Sequence, residues 1–215
     1  MIREWVGELS TLSDDDWCRY AFNRDPLVGR ITPEDRLGYC GKAIECGIEQ
    51  ARLVRAEHGD ANPVELAGLM RVKLEYKPAE GANAMFAYYQ EPDTIVVYTA
   101  NAIATAALVE EHGLRDLVGD AAVVDVLVAH ELYHVLEHAR PELFTARKLV
   151  TLWKLGPFEN RSRILCLEEI GAMAFTRELV GLKCSAYVYN VLMLASSNPA
   201  RAQKLYERIM RIKAG

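Results

Sequence analysis

The sequence predicts an α+β fold, mostly helical, with a small antiparallel three-stranded sheet in its N-terminal half. Three observations carry this. Helix-start signals stand at Thr32-Pro33 and Asn62-Pro63; residues 71–99 alternate or run β-branched; and beyond Asn101 the pattern is helical, broken by Pro141, Gly156-Pro157 and Asn198-Pro199. With 215 residues, 51% of them hydrophobic, there is enough chain for one packed domain.

Residues 1–31 carry Asp14-Asp15-Asp16 and few periodic apolar positions, and are expected to form a peripheral arm with one short helix near 17–22. The domain proper is expected to span 32–215. Thr32 supplies a capping hydroxyl, Pro33 suits the first helical position, and Glu34 and Asp35 favour the positive end of the helix dipole. That helix should run to about His58, where Gly59-Asp60 stops it. Asn62-Pro63-Val64-Glu65 repeats the signal, with an acid three residues after the cap. In 71–77, Val72, Leu74 and Tyr76 alternate with Arg71, Lys73 and Glu75. The runs 84–90 and 94–99 are aromatic or β-branched and flank the turn Glu91-Pro92-Asp93. Three strands in succession predict a meander. Helices are expected at 101–112, 120–139, 141–154, 160–180, 185–196 and 199–213.

The net charge of -5 argues against an electrostatic surface for nucleic acid. Residues 1–8 lack the basic and apolar segments of a signal peptide, and no apolar run is long enough for a membrane span, so a cytoplasmic protein without membrane association is expected. Cys18, Cys40, Cys46, Cys166 and Cys184 are odd in number and never spaced C-x-x-C. They read as reduced thiols outside any site.

Three of the chain's five histidines lie in His130-Glu131-Leu132-Tyr133-His134-Val135-Leu136-Glu137-His138, which spells H-E-x-x-H. Chance supplies about 0.01 copies of that pattern at this composition. Residues i and i+4 stack on one helix face, so His130 and His134 can both address one ion. Glu131 lies about 100° around the helix from His130, within reach of a water activated by that ion. The preceding residues, Ala121 to Ala129, are apolar nearly all round, so the helix is expected to be buried. A buried helix cannot readily leave two imidazoles and a carboxylate unpaired. This is the layout of a zinc hydrolase.

Tight zinc binding needs a third protein ligand. His138 lies about 12 Å along the helix axis from His130, too far for one ion. Glu168 and Glu169 stand within the otherwise apolar run Ile164 to Phe175, where one is expected to ligate. Tyr133, Tyr187 and Tyr189 are candidates for stabilising an oxyanion, although Tyr133 faces away from His130 by helical phase. The run Thr94-Ile95-Val96-Val97-Tyr98 is a candidate edge strand for an extended peptide, in a cleft bordered by residues 93–99.

The segment Ala129-His130-Glu131-Leu132-Tyr133-His134 through His138 resembles the A-H-E-L-x-H-x-x-x-H signature of the ImmA/IrrE-like metallopeptidase domain. Glu169-Ile170-Gly171-Ala172-Met173-Ala174-Phe175-Thr176 is similar to the family's downstream E-x-x-A-N-x-F-A frame, departing at Met173 and Thr176. The resemblance covers about 60–180. It implies a zincin-like fold, Zn2+ held by His130, His134 and Glu169, and Glu131 as general base. The interval from His134 to Glu169 is long for the family, implying an extra helix at 141–154. A protein or peptide substrate is implied, a transcriptional repressor among the candidates. The alternative is a zinc-bound regulatory or partner-binding module without proteolysis.

Overall fold

The computed structural model describes residues 1–78 and 85–213. Helix α1 spans Ile2–Ser10 and α2 spans Asp14–Phe22. Ser13 caps α2 in a reciprocal box with Asp16, which is where the acidic triplet is used. Expected as a peripheral arm, this segment instead sends Trp5, Val6, Leu9, Trp17, Tyr20 and Phe22 into the one core cluster shared with the HExxH helix. A 3-10 turn, Val28–Arg30, leads to α3, Pro33–His58, capped by Thr32 as its sequence predicts. Helix α4, Pro63–Leu69, carries the capping box of Asn62 and Glu65.

Strands β1 (Lys73–Lys77), β2 (Ala87–Gln90) and β3 (Thr94–Tyr98) form the sheet. The second strand begins at Ala87; the expected start, Ala84, lies outside the described residues. The order is β1-β3-β2, with β1 parallel and β2 antiparallel to β3. The sheet is therefore mixed, not an antiparallel meander, and β3 is central rather than an edge. All five residues of β3 are buried. A run apolar on both faces is what a strand needs when it has neighbours on both sides and helices above it.

Next come α5 (Thr99–Glu111), the short α6 (Arg115–Val118), α7 (Val123–Ala139) and the short α8 (Phe144–Arg147). The expected helix at 141–154 and the start of that at 160–180 are replaced by a hairpin, β4 (Leu149–Leu155) with β5 (Phe158–Arg163). Leu155 pairs with Phe158, so Gly156-Pro157 is a two-residue loop, and Gly156 takes φ 58°. Glycine first with positive φ, then proline, matches the hairpin turn that follows strand twist. The chain continues as α9 (Cys166–Val180), α10 (Val188–Ser197) and α11 (Pro199–Lys213).

Helix α9 is sandwiched between α3 and α7, and its residues Ile170 to Thr176 are all buried. The approach to α3 is close: Gly47 of α3 lies over the backbone at Gly171 and Phe175, and Gly171 in turn accommodates the Tyr133 ring of α7. Cys18 of α2 and Cys40 of α3 are joined as a disulfide with Cα atoms 6.1 Å apart. This corrects the expectation of five reduced thiols; helix packing brings together two residues separated by 22 positions. Cys46, Cys166 and Cys184 are free and buried. The bridge removes the cysteine-based ground for a reducing compartment. Among the described residues no helix is long and apolar enough to cross a membrane.

Candidate metal centre

The HExxH run lies in the second half of α7, where Val126 to Ala129 anchor the helix in the core. One turn apart, His130 and His134 bring their Nε2 atoms to 3.3 Å. Across from them, Glu169 projects from the first turn of α9. Its Oε2 lies 3.6 Å from His130 Nε2 and its Oε1 3.7 Å from His134 Nε2. All three ligand groups fall within 4.8 Å of one another. A tetrahedral zinc ion at about 2.0–2.1 Å from each ligand separates ligand atoms by roughly 3.3 Å. Two imidazoles and one carboxylate at these separations fit such an ion.

The remaining acids sort by direction. Glu168 pairs with Arg163, so of the two adjacent glutamates only Glu169 faces both imidazoles. Burial, with Glu137 nearby, holds the Glu168 carboxyl above its usual range. Glu131 is 8% exposed and borders a cavity of about 550 Å³ together with His130 and Glu169. Glu137, which the sequence reading left without a role, is buried, with Oε2 3.9 Å from His134 Nδ1. Its Oε1 has no hydrogen-bond partner among the described residues. A carboxylate behind the non-ligating nitrogen fixes a histidine's tautomer and ring angle. The available signal was an acid three residues beyond His134 in a helix with little other use for charge. Burial pulls the His134 imidazole down, but Glu137, Glu131 and Glu169 outweigh it and raise its pKa to about 8. The pocket thus attracts a cation, with a proton as the simplest one.

Asp25 is a second residue whose role the sequence did not signal. It is 4% exposed, and its Oδ2 accepts the backbone N–H of Cys166 at 2.9 Å. Helix α9 lacks a local side-chain cap, so Asp25 supplies one from the N-terminal segment and steadies the turn that carries Glu169.

His138 is turned elsewhere, its Nδ1 3.3 Å from Glu91, in keeping with the axial distance that excludes it. The Tyr133 hydroxyl is buried on the far side of α7, 2.8 Å from Thr145 Oγ1. Tyr189 does border the cavity with Glu131, and burial pushes its phenol up. Tyr187 lines an adjoining lobe of about 610 Å³ that shares Arg24, Phe86, Glu169, Asn190 and Met193 with the first. Its hydroxyl is buried without a partner among the described residues. The cavity beside Glu131 is bordered by Met85 to Ala87, not by 93–99, because β2 rather than β3 is the edge.

No protein-family model, curated protein or solved structure matches the chain. The functional reading therefore stands on the site's own geometry.

Proposed function

We propose that this chain is a zinc-dependent peptidase of the glutamate zincin type, in line with the resemblance of its motifs to the ImmA/IrrE-like domain. The observation that carries the reading is the convergence of His130, His134 and Glu169 from two helices beside a buried glutamate, Glu131, at a cavity. Zinc bound there would supply Lewis acidity, bringing the pKa of water toward neutrality and polarising the scissile carbonyl.

The residues have separable tasks. Glu131 accepts the proton of the attacking water and delivers it to the leaving amine. Glu137 orients His134, and Asp25 steadies the start of α9. Strand β2 pairs only with β3 among the described residues, and its N-terminal end borders the cavity. An extended peptide adding to that strand would pass Glu131 with its carbonyls in register. Tyr189 has the position from which a phenol can donate to a developing oxyanion.

Elemental analysis and a cleavage comparison test the reading together. Wild type and Glu131→Gln should each bind one zinc per chain and His134→Ala should not, while only wild type cleaves susceptible proteins in a proteome-wide digest. Stoichiometric zinc in His134→Ala refutes the ligand set. Zinc binding without Glu131-dependent cleavage assigns the site to the alternative, a metal-bound regulatory module.

A further inference from the structure

The β4–β5 hairpin points several large apolar side chains outward together. Trp153 is 52% exposed, Leu155 73% and Phe158 69%. Their register explains why they act together. Leu155 is paired with Phe158, and Trp153 with Asn160, two residues back along each strand. Directly paired residues and residues two apart share a face, so Trp153, Leu155 and Phe158 form one continuous apolar surface at the tip. The opposite face is polar. There Glu159 joins Thr151 Oγ1 at 2.6 Å and Arg161 at 2.7 Å. At its base the hairpin is held by Val150 against the core, by Arg163 paired with Glu168 and by a hydrogen bond from Arg30 to the Leu152 carbonyl, while the tip from Trp153 to Phe158 stands clear.

Charge is the second observation. Residues 147–163 hold five cations (Arg147, Lys148, Lys154, Arg161, Arg163) against the single anion Glu159, a net of +4. The whole chain is -5, which leaves -9 for the remainder. With the neighbouring Lys42, Glu45, Glu49, Glu142 and Glu168 included, this end of the molecule carries +1 and the remainder -6, so the exposed apolar tip lies at the end that is not acidic.

We propose that this hairpin docks the protein on an anionic lipid surface, inserting Trp153, Leu155 and Phe158 between headgroups. A tryptophan beside aliphatic and aromatic side chains, with Lys154 between them in sequence, suits the boundary between headgroup and acyl chain. The cations of the hairpin are drawn to anionic lipid while the acidic remainder is repelled, so the electrostatics also favour this orientation. A second copy of the chain fits less well. The three side chains expose only on the order of 400 Å², about half of what each partner buries in a standard interface. This mode of attachment needs no spanning segment, and it is independent of the peptidase reading.

Flotation with vesicles of phosphatidylcholine alone, and of phosphatidylcholine mixed with phosphatidylglycerol, tests it. Wild type should float with the mixed vesicles only, with a blue shift in tryptophan emission. That shift reports Trp153, since Trp5 and Trp17 are already buried at 8% and 2% exposure. Leu155→Ser and Phe158→Ser should each lower partitioning about tenfold, with circular dichroism unchanged because both side chains are exposed. Lys154→Gln should lower it about fivefold, and added salt should weaken it further. Failure to float with the mixed vesicles overturns the proposal, as does equal binding to both vesicle types. So does a dimer in sedimentation velocity that the two serine substitutions dissociate, which would assign the face to a second copy.

Discussion

Replacing Gly47 by alanine should loosen the fold and the cation site together. A Cβ at Gly47 would press on the Gly171 carbonyl oxygen and lie 2.9 Å from the Phe175 backbone nitrogen, the two ends of one helical hydrogen bond in α9. The contact falls short of ordinary carbon–oxygen separation by about 1 Å. Neither side can yield by rotating a side chain, so α3 and α9 must move apart. Overpacking a dense core costs about 1–3 kcal/mol, and backbone on both sides puts this case near ~3. Alanine regains about 1 kcal/mol of helix propensity over glycine, leaving a net loss of about 2 kcal/mol. For a chain of this size that lowers the thermal midpoint by roughly 4–8 °C. Because α9 carries Glu169, and metal–ligand distances tolerate only about ±0.2 Å, zinc affinity should fall at least about tenfold. Gly41→Ala on the same helix is the control. It meets no atom within 4 Å and should stabilise by about 0.5–1 kcal/mol. Urea unfolding of the metal-free proteins and competition with a chromophoric chelator measure the two effects. A Gly47→Ala protein as stable as Gly41→Ala, or one with undiminished zinc affinity, would refute the close-approach argument.

Three further outcomes are expected. The His134 pKa of about 8 lies above its unfolded value of 6.5, so the folded state holds the proton more tightly. That contribution, about 2 kcal/mol, is complete below pH 6.5 and is lost as pH rises through 8. Denaturation of metal-free protein across this window should follow that trend, and His134→Asn should flatten it. Thiol titration of protein denatured without reductant should find three free cysteines, Cys46, Cys166 and Cys184, rising to five after reduction. His138→Asn should leave zinc affinity within about twofold of wild type, since its partner is Glu91; a larger loss would return His138 to the site.

What the sequence revealed depended on how local each signal was. The starts of α3 and α4 were readable because their caps lie within four residues of the helix they begin. The convergence of His130 and His134 was readable because helical phase alone places them. Glu169 needs a motif frame to separate it from Glu168, because Arg163, the partner of Glu168, comes from a hairpin whose strands also fit a helical pattern. The run Leu149-Val150-Thr151-Leu152-Trp153 satisfies strand and helix patterns alike, and only the two-residue turn Gly156-Pro157 distinguishes them. Strand order was hidden because β1 and β3 pair across the intervening β2. The disulfide, the Asp25 cap and the glycine contact between α3 and α9 are long-range, so no local pattern could announce them.

The stacking of Trp5 on Tyr206, 5.1 Å between ring centroids, ties α1 to α11. The Tyr206 hydroxyl reinforces it by donating to Glu8, 198 positions away. Contacts between such remote positions form late in folding, because the entropy of closing so long a loop must be overcome before they give any return. Tyr20 and Ala21 of α2 face Leu205 and Arg208 of α11 across the lobe beside Glu169. The histidines and Glu169 are separated by far less chain and can gather first. A cation taken up by these residues would then bind while its surroundings are still open to water, and closure of the adjoining lobe is left to the docking of α11. Slow steps in acquiring activity after refolding would then report this closure rather than metal uptake.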